Sequence, residues 1–150
     1  MQESQNSYNK IDEAESAYLY ISLSQLPASG NGLHTAINIY KDEYIAMFKG
    51  EILTNLQARL RAKNNKDQYF ITMLDGSIMD SMKRKCFAKY ANDTMGSANT
   101  LFKNNAKIGL DEQENICLIA TRYIKCGEEI FCGYGSRYWH RHSVVSGVST

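Results

Sequence analysis

The sequence predicts a mainly β, α+β domain made of many short strands with one or two short helices. Three observations carry this. Runs rich in aromatic and β-branched residues (YLYISL at 18–23, YFITML at 69–74, ICLIA at 116–120) are bounded by polar or glycine-containing turns, as strands are. A helix-start signal stands at Thr54, where a Thr hydroxyl can take a free amide and Gln57, three residues on, can reach back. No strand–helix alternation suggests a parallel nucleotide-binding sheet, and the Gly-x-Gly lacks the third glycine and following helix of a dinucleotide fingerprint.

In chain order, residues 1–16 are almost entirely polar and read as a flexible arm, with a short helix over 11–17 as the alternative. A strand follows at 18–23, then a loop at 26–32 with the strongest turn composition in the chain. Residues 33–40 and 44–48 read as short strands around the Lys41-Asp42-Glu43 turn, and a helix runs over 56–62. The strand at 69–74 meets Asp75-Gly76 before Ser77-Ile78-Met79-Asp80, a strong hairpin signal. Residues 86–91 make at most a short helical or 3₁₀ turn, 92–99 a loop, 100–103 and 108–110 short strands, and 111–115 an exposed acidic turn. Residues 116–139 then give a strand, the turn Lys125-Cys126-Gly127-Glu128-Glu129, a resumed apolar run Ile130-Phe131-Cys132, and Tyr134 between Gly133 and Gly135. Glu128 and Glu129 read as a solvated turn. The division expected is an arm over 1–16, a domain over 17–140 and a disordered tail over 141–150.

Composition narrows the function. The 150 residues are one domain's worth, and 17 basic against 16 acidic side chains give a formal charge of +1. That is not the footprint of a direct nucleic-acid binder, and no apolar run approaches membrane-spanning length. A polar, acidic N-terminus without a signal-peptide pattern makes an intracellular protein the expectation. Cys86, Cys117, Cys126 and Cys132 form no CxxC pair and read as buried free thiols. His140 and His142 lack a third ligand, so no metal site is expected.

Three loops stand out by order and spacing: Gly30-Asn31-Gly32; Lys89-Tyr90-Ala91-Asn92-Asp93 followed by Asn99; and Gly127-Glu128-Glu129-Ile130 leading to Gly133-Tyr134-Gly135. Together they resemble a SET domain, the fold of one large class of protein-lysine methyltransferases, over residues 18–139. Gly30-Asn31-Gly32-Leu33 is similar to that family's opening Gly-x-Gly loop, and residues 43–51 to its strand ending in an aromatic, a spacer and Gly-Glu. Residues 69–74 with 78–80 are similar to its central hairpin. Lys89-Tyr90-Ala91-Asn92-Asp93 falls where the family usually carries Arg-Phe-Ile-Asn-His, and residues 120–124 and 127–135 match its closing segment.

The resemblance implies a β-clip of short strands in which the Asn-containing strip is threaded under the closing segment as a pseudoknot. It implies S-adenosylmethionine as methyl donor and a lysine-containing protein or peptide as acceptor, with a histone tail the first guess. Tyr134 is then the catalytic hydroxyl and Tyr69 a wall of the lysine channel. Gly30, Asn31, Gly32, Lys89, Tyr90, Asn92, Asp93, Tyr134 and Trp139 are the implied donor-binding set. The glycine backbone can approach the donor closely, the Asn92 amide suits an ammonium–carboxylate zwitterion, and Tyr90 or Trp139 offers an aromatic face for adenine. The nucleus is the implied compartment for a histone methyltransferase, the cytoplasm otherwise.

Several positions depart from the family pattern. Asp93 replaces a His and, ionised, only accepts hydrogen bonds; Lys89 replaces an Arg and loses bidentate geometry. Cys132 stands where the family often has Phe or Tyr, which implies a roomier pocket and addition of two or three methyls. No cysteine follows Tyr134 in this sequence, so the zinc-binding segment of many relatives is not expected here. Asp93 and Lys89 keep a second reading open, a catalytically inactive SET-like module that holds a peptide or partner.

Overall fold

Residues 9–73, 75–96 and 100–133 are described by the computed structural model, and among them the apolar runs become ten short strands. They divide into two units, 9–48 with 87–133, and 49–86.

In the first unit, Leu19–Leu23 (β1) and Asn31–Thr35 (β2) form an antiparallel hairpin, with Leu19 opposite Thr35 and Leu23 opposite Asn31. The short helix Glu15–Tyr18 (α1) runs directly into β1, so the strand begins one residue later than its sequence suggests. Of the stretch 1–16, residues 1–8 lie outside the described residues. Lys10 bridges Tyr44, and the Glu15 carboxylate accepts the Met47 amide at 2.9 Å.

The strand expected over 33–40 stops at Thr35 for a local reason. Its hydroxyl donates to the Ile37 carbonyl at 2.8 Å and accepts the Ile37 amide at 3.1 Å, a side-chain turn that competes with the ladder. Tyr44–Met47 (β3) therefore does not pair back with β2. It lies at the edge of a second sheet, in the order β10-β7-β8-β3, where β7 is Ala106–Leu110, β8 is Ile116–Ala120 and β10 is Cys132–Gly133. β7 and β8 form a hairpin whose acidic turn is closed by Asp111, its Oδ1 accepting the amides of Gln113 and Asn115, each at 2.9 Å. The β3–β8 register shifts between Tyr44 and Ala46, and the Ile45 carbonyl there accepts the Tyr18 hydroxyl at 2.6 Å. Burial, first, and nearby Glu15 hold that phenol protonated well above its usual range.

The closing segment departs from a simple hairpin with β8. Both edges of β8 are occupied, by β7 and β3. Glu129–Ile130 (β9) therefore pairs with β2 in the first sheet, and β10 crosses to pair parallel with β7 in the second. The strand expected over 100–103 does not form. Leu101 is exposed, and Phe102 lays its ring against Phe131 at 5.3 Å between centroids. The interior of this unit is formed by Leu33, Ile39, Ile45, Leu118, Ile124 and Ile130, all fully buried. Each such side chain contributes about 1.5–3 kcal/mol by leaving water.

The second unit is a three-stranded sheet in the order β4-β6-β5 with a helix. Glu51–Leu53 (β4), Phe70–Thr72 (β5) and Ile78–Asp80 (β6) pair antiparallel. The expected Asp75-Gly76 turn joins β5 to β6, with Asp75 Oδ1 accepting both the amide and the hydroxyl of Ser77. Asn55–Lys63 (α2) starts on the Thr54–Gln57 capping box, both of whose hydrogen bonds form. It packs Ala58 against Leu53, Phe70 and Ile78. Arg61 crosses to β4 and β6, Nη1 donating to Glu51 at 3.0 Å and to Asp80 at 2.7 Å.

Candidate functional site

The loop after β1 turns through Ala28 and Gly30, both at positive φ, and delivers Gly30-Asn31-Gly32 into β2. Gly30 and Asn31 are exposed while Gly32 is buried, so the strip has one face toward solvent and one against the protein. A Cβ on Gly30 would meet nothing within 4 Å. On Gly32 it would overlap Glu129 Oε2 and lie 2.9 Å from Glu129 Cδ. Only a glycine admits that approach.

Two further segments converge on this strip. Ala88–Tyr90 is a 3₁₀ turn that presents Asn92 two residues later. Asn92 Nδ2 donates to the Asn31 carbonyl at 3.1 Å, its own carbonyl accepts the Cys132 amide at 2.8 Å, and it forms a parallel bridge with Phe131. The opening loop, the Asn-containing strip and the closing strands thus meet at one place, although sixty-one positions separate Asn31 from Asn92. A pattern of short strands has no local signal for such a junction; the order of the three loops pointed to it.

Other members of the expected set take specific places. Lys89 holds its ammonium 5.5 Å from the centroid of the half-buried Tyr90 ring, a cation–π contact. Asp93 Oδ1 accepts the Met95 amide at 2.9 Å and Asn104 Nδ2 at 3.0 Å. Asn104 Oδ1 in turn takes the amide and hydroxyl of Thr94. The carboxylate that stands in place of a His therefore braces the loop it starts. Tyr69 is half-buried at the entry to β5 in the second unit, where its carbonyl accepts the Ser81 amide. Asn99, Tyr134 and Trp139 lie outside the described residues.

Cys132 is fully buried, and burial, with Asp93 as a lesser cause, pushes its thiol far above the ordinary range. Cys86 and Cys117 are buried too, but Cys126 is exposed, which corrects the expectation of four buried thiols. Cys126 sits in a turn where its amide needs Asn38 Oδ1 and its thiol reaches the Ala36 carbonyl.

A larger correction concerns the acidic turn. Glu128 is exposed and caps the Lys125 amide, as a solvated residue does, but the Glu129 side chain has no solvent exposure. Glu129 alternates with Glu128 along the start of β9 and so points the opposite way, into the space beside β2. Reading the pair as a turn hid that alternation. Asn105 is the other residue the sequence reading missed. Buried, it donates Nδ2 to the Glu129 carbonyl at 3.0 Å and accepts the Phe131 amide at 2.8 Å. A buried amide beside a strand has no composition signal until its partners are known.

The site can be tested for fit to a sulfonium donor. Gly30 and Asn31 face solvent, Asn92 brings an amide whose Nδ2 is held on the Asn31 carbonyl, and Tyr90 adds an aromatic face and Lys89 a cation, all in one unit. That set suits a zwitterionic amino-acid end next to a flat heterocycle.

Compared with known proteins, residues 30–135 match the family model described as SET domain. A histone-lysine N-methyltransferase of Coccidioides immitis (strain RS), H3 lysine-36 specific, is 25% identical over 122 residues, 78% of this chain and 12% of that protein. Among solved structures, an active polycomb repressive complex 2 in the basal state aligns with TM-score 0.64 at 27% identity, covering 79% of this chain and 15% of that one. A humanized mutant of the Chaetomium thermophilum complex, bound to an inhibitor, aligns with TM-score 0.63 at 25% identity, covering 78% and 15%. The chain thus spans under a sixth of the length of each of these relatives.

Proposed function

Since this chain belongs to the SET domain family, we propose that it is a protein-lysine N-methyltransferase that uses S-adenosylmethionine. The observation that carries the reading is the junction of Asn31, Asn92 and Cys132 through two hydrogen bonds of 3.1 and 2.8 Å. It supports a single site formed by the opening loop, the Asn strip and the segment that leads to Tyr134.

In this reading Gly30, Asn31, Gly32, Lys89, Tyr90, Asn92, Asp93 and Trp139 hold the donor, whose sulfonium supplies an electrophilic methyl group. Asn92 serves its amino-acid end, and Tyr90 or Trp139 its adenine. Asp93 acts by bracing the strip that carries Asn92. The acceptor lysine has an ordinary pKa near ~10.4 and must lose its proton to attack. Desolvation among aromatic walls and a neighbouring positive charge both lower that value, so no dedicated base is required. The Tyr134 hydroxyl orients the neutral amine and Tyr69 lines its channel. Alignment of nucleophile and methyl group is where the acceleration arises, on the order of 7–11 kcal/mol for well-oriented groups.

Histones are the first substrates to try, and a histone substrate places the protein in the nucleus. Incubation with labelled donor and mixed histones or lysine-rich peptides, wild type beside Tyr134→Phe, tests the assignment. The expected result is label on protein that Tyr134→Phe abolishes. A wild type that binds donor without transfer, or binds none, refutes the enzymatic reading and leaves a peptide-binding module.

A further inference from the structure

Glu129 is unusual for a residue beside an exposed turn. Its side chain is fully buried, and the neighbouring His34 Nε2 is 3.9 Å from Oε1. An ionised carboxylate out of water costs several kcal/mol unless hydrogen bonds offset it, so what Glu129 binds is informative. Oε1 accepts the Gln25 amide at 2.8 Å and Oε2 accepts the Ser24 hydroxyl at 2.7 Å. Ser24 and Gln25 are the first two residues after β1. The Ser24 hydroxyl oxygen also accepts the Leu26 amide at 3.1 Å, and the Ser24 amide donates to the Gly30 carbonyl at 2.8 Å. The carboxylate therefore fastens the loop over 24–30 at its base, and Gly32 rests on the same carboxylate. The backbone of Glu129 is pinned independently, by pairing with His34 in β2 and by Asn105 Nδ2 on its carbonyl.

We propose that Glu129 is a positioning residue for the methyl donor: it locks the loop over 24–32 onto β9, so that the Asn31 carbonyl stands where the Asn92 amide docks. This rests on the reading of Gly30–Gly32 and Asn92 as the donor site. Glu129 touches neither donor nor lysine in this account and acts wholly through the loop. The closing segment and the opening loop, 105 positions apart at their contact with Ser24, thereby move as one piece.

The test uses the full chain with Ser24→Ala, Glu129→Gln and Glu129→Ala. Ser24→Ala removes one partner and leaves the buried carboxylate its Gln25 amide, so it remains measurable where Glu129→Ala fails to fold. Donor affinity is read by calorimetry, hydrogen exchange at residues 25–33 by mass spectrometry, and KM separately for donor and lysine peptide. A lost hydrogen bond to a charged group corresponds to a change of about 10- to 150-fold in an equilibrium. Ser24→Ala is expected to weaken donor binding up to about that factor and to speed exchange at 25–33, with peptide KM unchanged. Glu129→Gln, which keeps an acceptor oxygen, falls between wild type and Glu129→Ala. Unchanged exchange in Ser24→Ala and Glu129→Gln overturns the proposal, as does faster exchange with wild-type donor affinity or an equal rise in both KM values. Wild type that binds no donor defeats the site assignment itself and the proposal with it. That failure is distinct, because a failure confined to Glu129 leaves wild-type binding intact.

Discussion

Replacing Gly32 by Ala puts the packing of the opening loop to a quantitative test. The new methyl overlaps Glu129 Oε2, stands 2.9 Å from Cδ and 3.3 Å from the Ser24 Cα. Two relaxations are available. Glu129 can swing away, which gives up the Ser24 and Gln25 hydrogen bonds, each worth about 1.5–3 kcal/mol as a bond to a charged group. Alternatively β2 shifts, and overpacking of this kind costs about 1–3 kcal/mol. The chain takes the cheaper route or a blend, so the two are not summed. Ala also restricts the unfolded chain and returns about 0.4–1 kcal/mol. Taking the middle of each range, the net expectation is a loss of about 1.3 kcal/mol. Urea unfolding followed by circular dichroism measures it as a lowered midpoint at constant slope. The sharper version is a double-mutant cycle with Glu129→Ala, which empties the space the methyl needs. Coupling of at least about 0.5 kcal/mol, with the double mutant more stable than the sum of the singles, is then required. Additive effects, or a Gly32→Ala midpoint equal to wild type, would falsify the claim that the glycine exists to admit the carboxylate.

Two other predictions concern the scaffold. Arg61→Ala leaves Asp80, whose side chain is 1% exposed, without its 2.7 Å partner and with the Met82 amide as a remaining donor; a loss of about 1–3 kcal/mol in urea unfolding is expected. The Arg61 hydrogen bond also holds the half-buried Glu51 carboxyl below its ordinary value, so the stability it contributes is present above the unfolded-state pKa and is lost as pH falls through the lower folded one. The urea midpoint of wild type should therefore drop below about pH 4, and that of Arg61→Ala should drop less. For the thiols, a disulfide reagent at mildly alkaline pH should modify Cys126 rapidly in the native protein and all four cysteines after unfolding. Burial pushes the Cys117 thiol up to about 12 and Cys132 higher still, so fast reaction of either would contradict their packing.

The parts of the fold that were legible in the sequence are those in which neighbours in the chain are neighbours in space. The Thr54 capping box, the Asp75-Gly76 hairpin and the Asp111 turn each formed where a few adjacent side chains dictate the geometry. Strands such as β9 and β10 were legible as apolar runs but not in their pairing. Their partners depend on which edges other strands have already filled, and β8 had none left. The site divides the same way. Asn92 and the glycine strip were legible because their order along the chain carried the pattern, and their meeting is realised as a hydrogen bond. Glu129 was not, because charge and a neighbouring glycine both argue for solvent, and only a second acid facing outward beside it reveals the alternation. Asn105 and Ser24 were illegible for a further reason. Each is an ordinary polar residue whose importance is that the buried groups of β9 would lack partners without it. In the proposed reading, the residues that would recognise the donor are constrained by its chemistry and so leave a motif. The residues that hold them need only complete a hydrogen-bond set, which many residue types can do, and their signature appears only once the chain is folded.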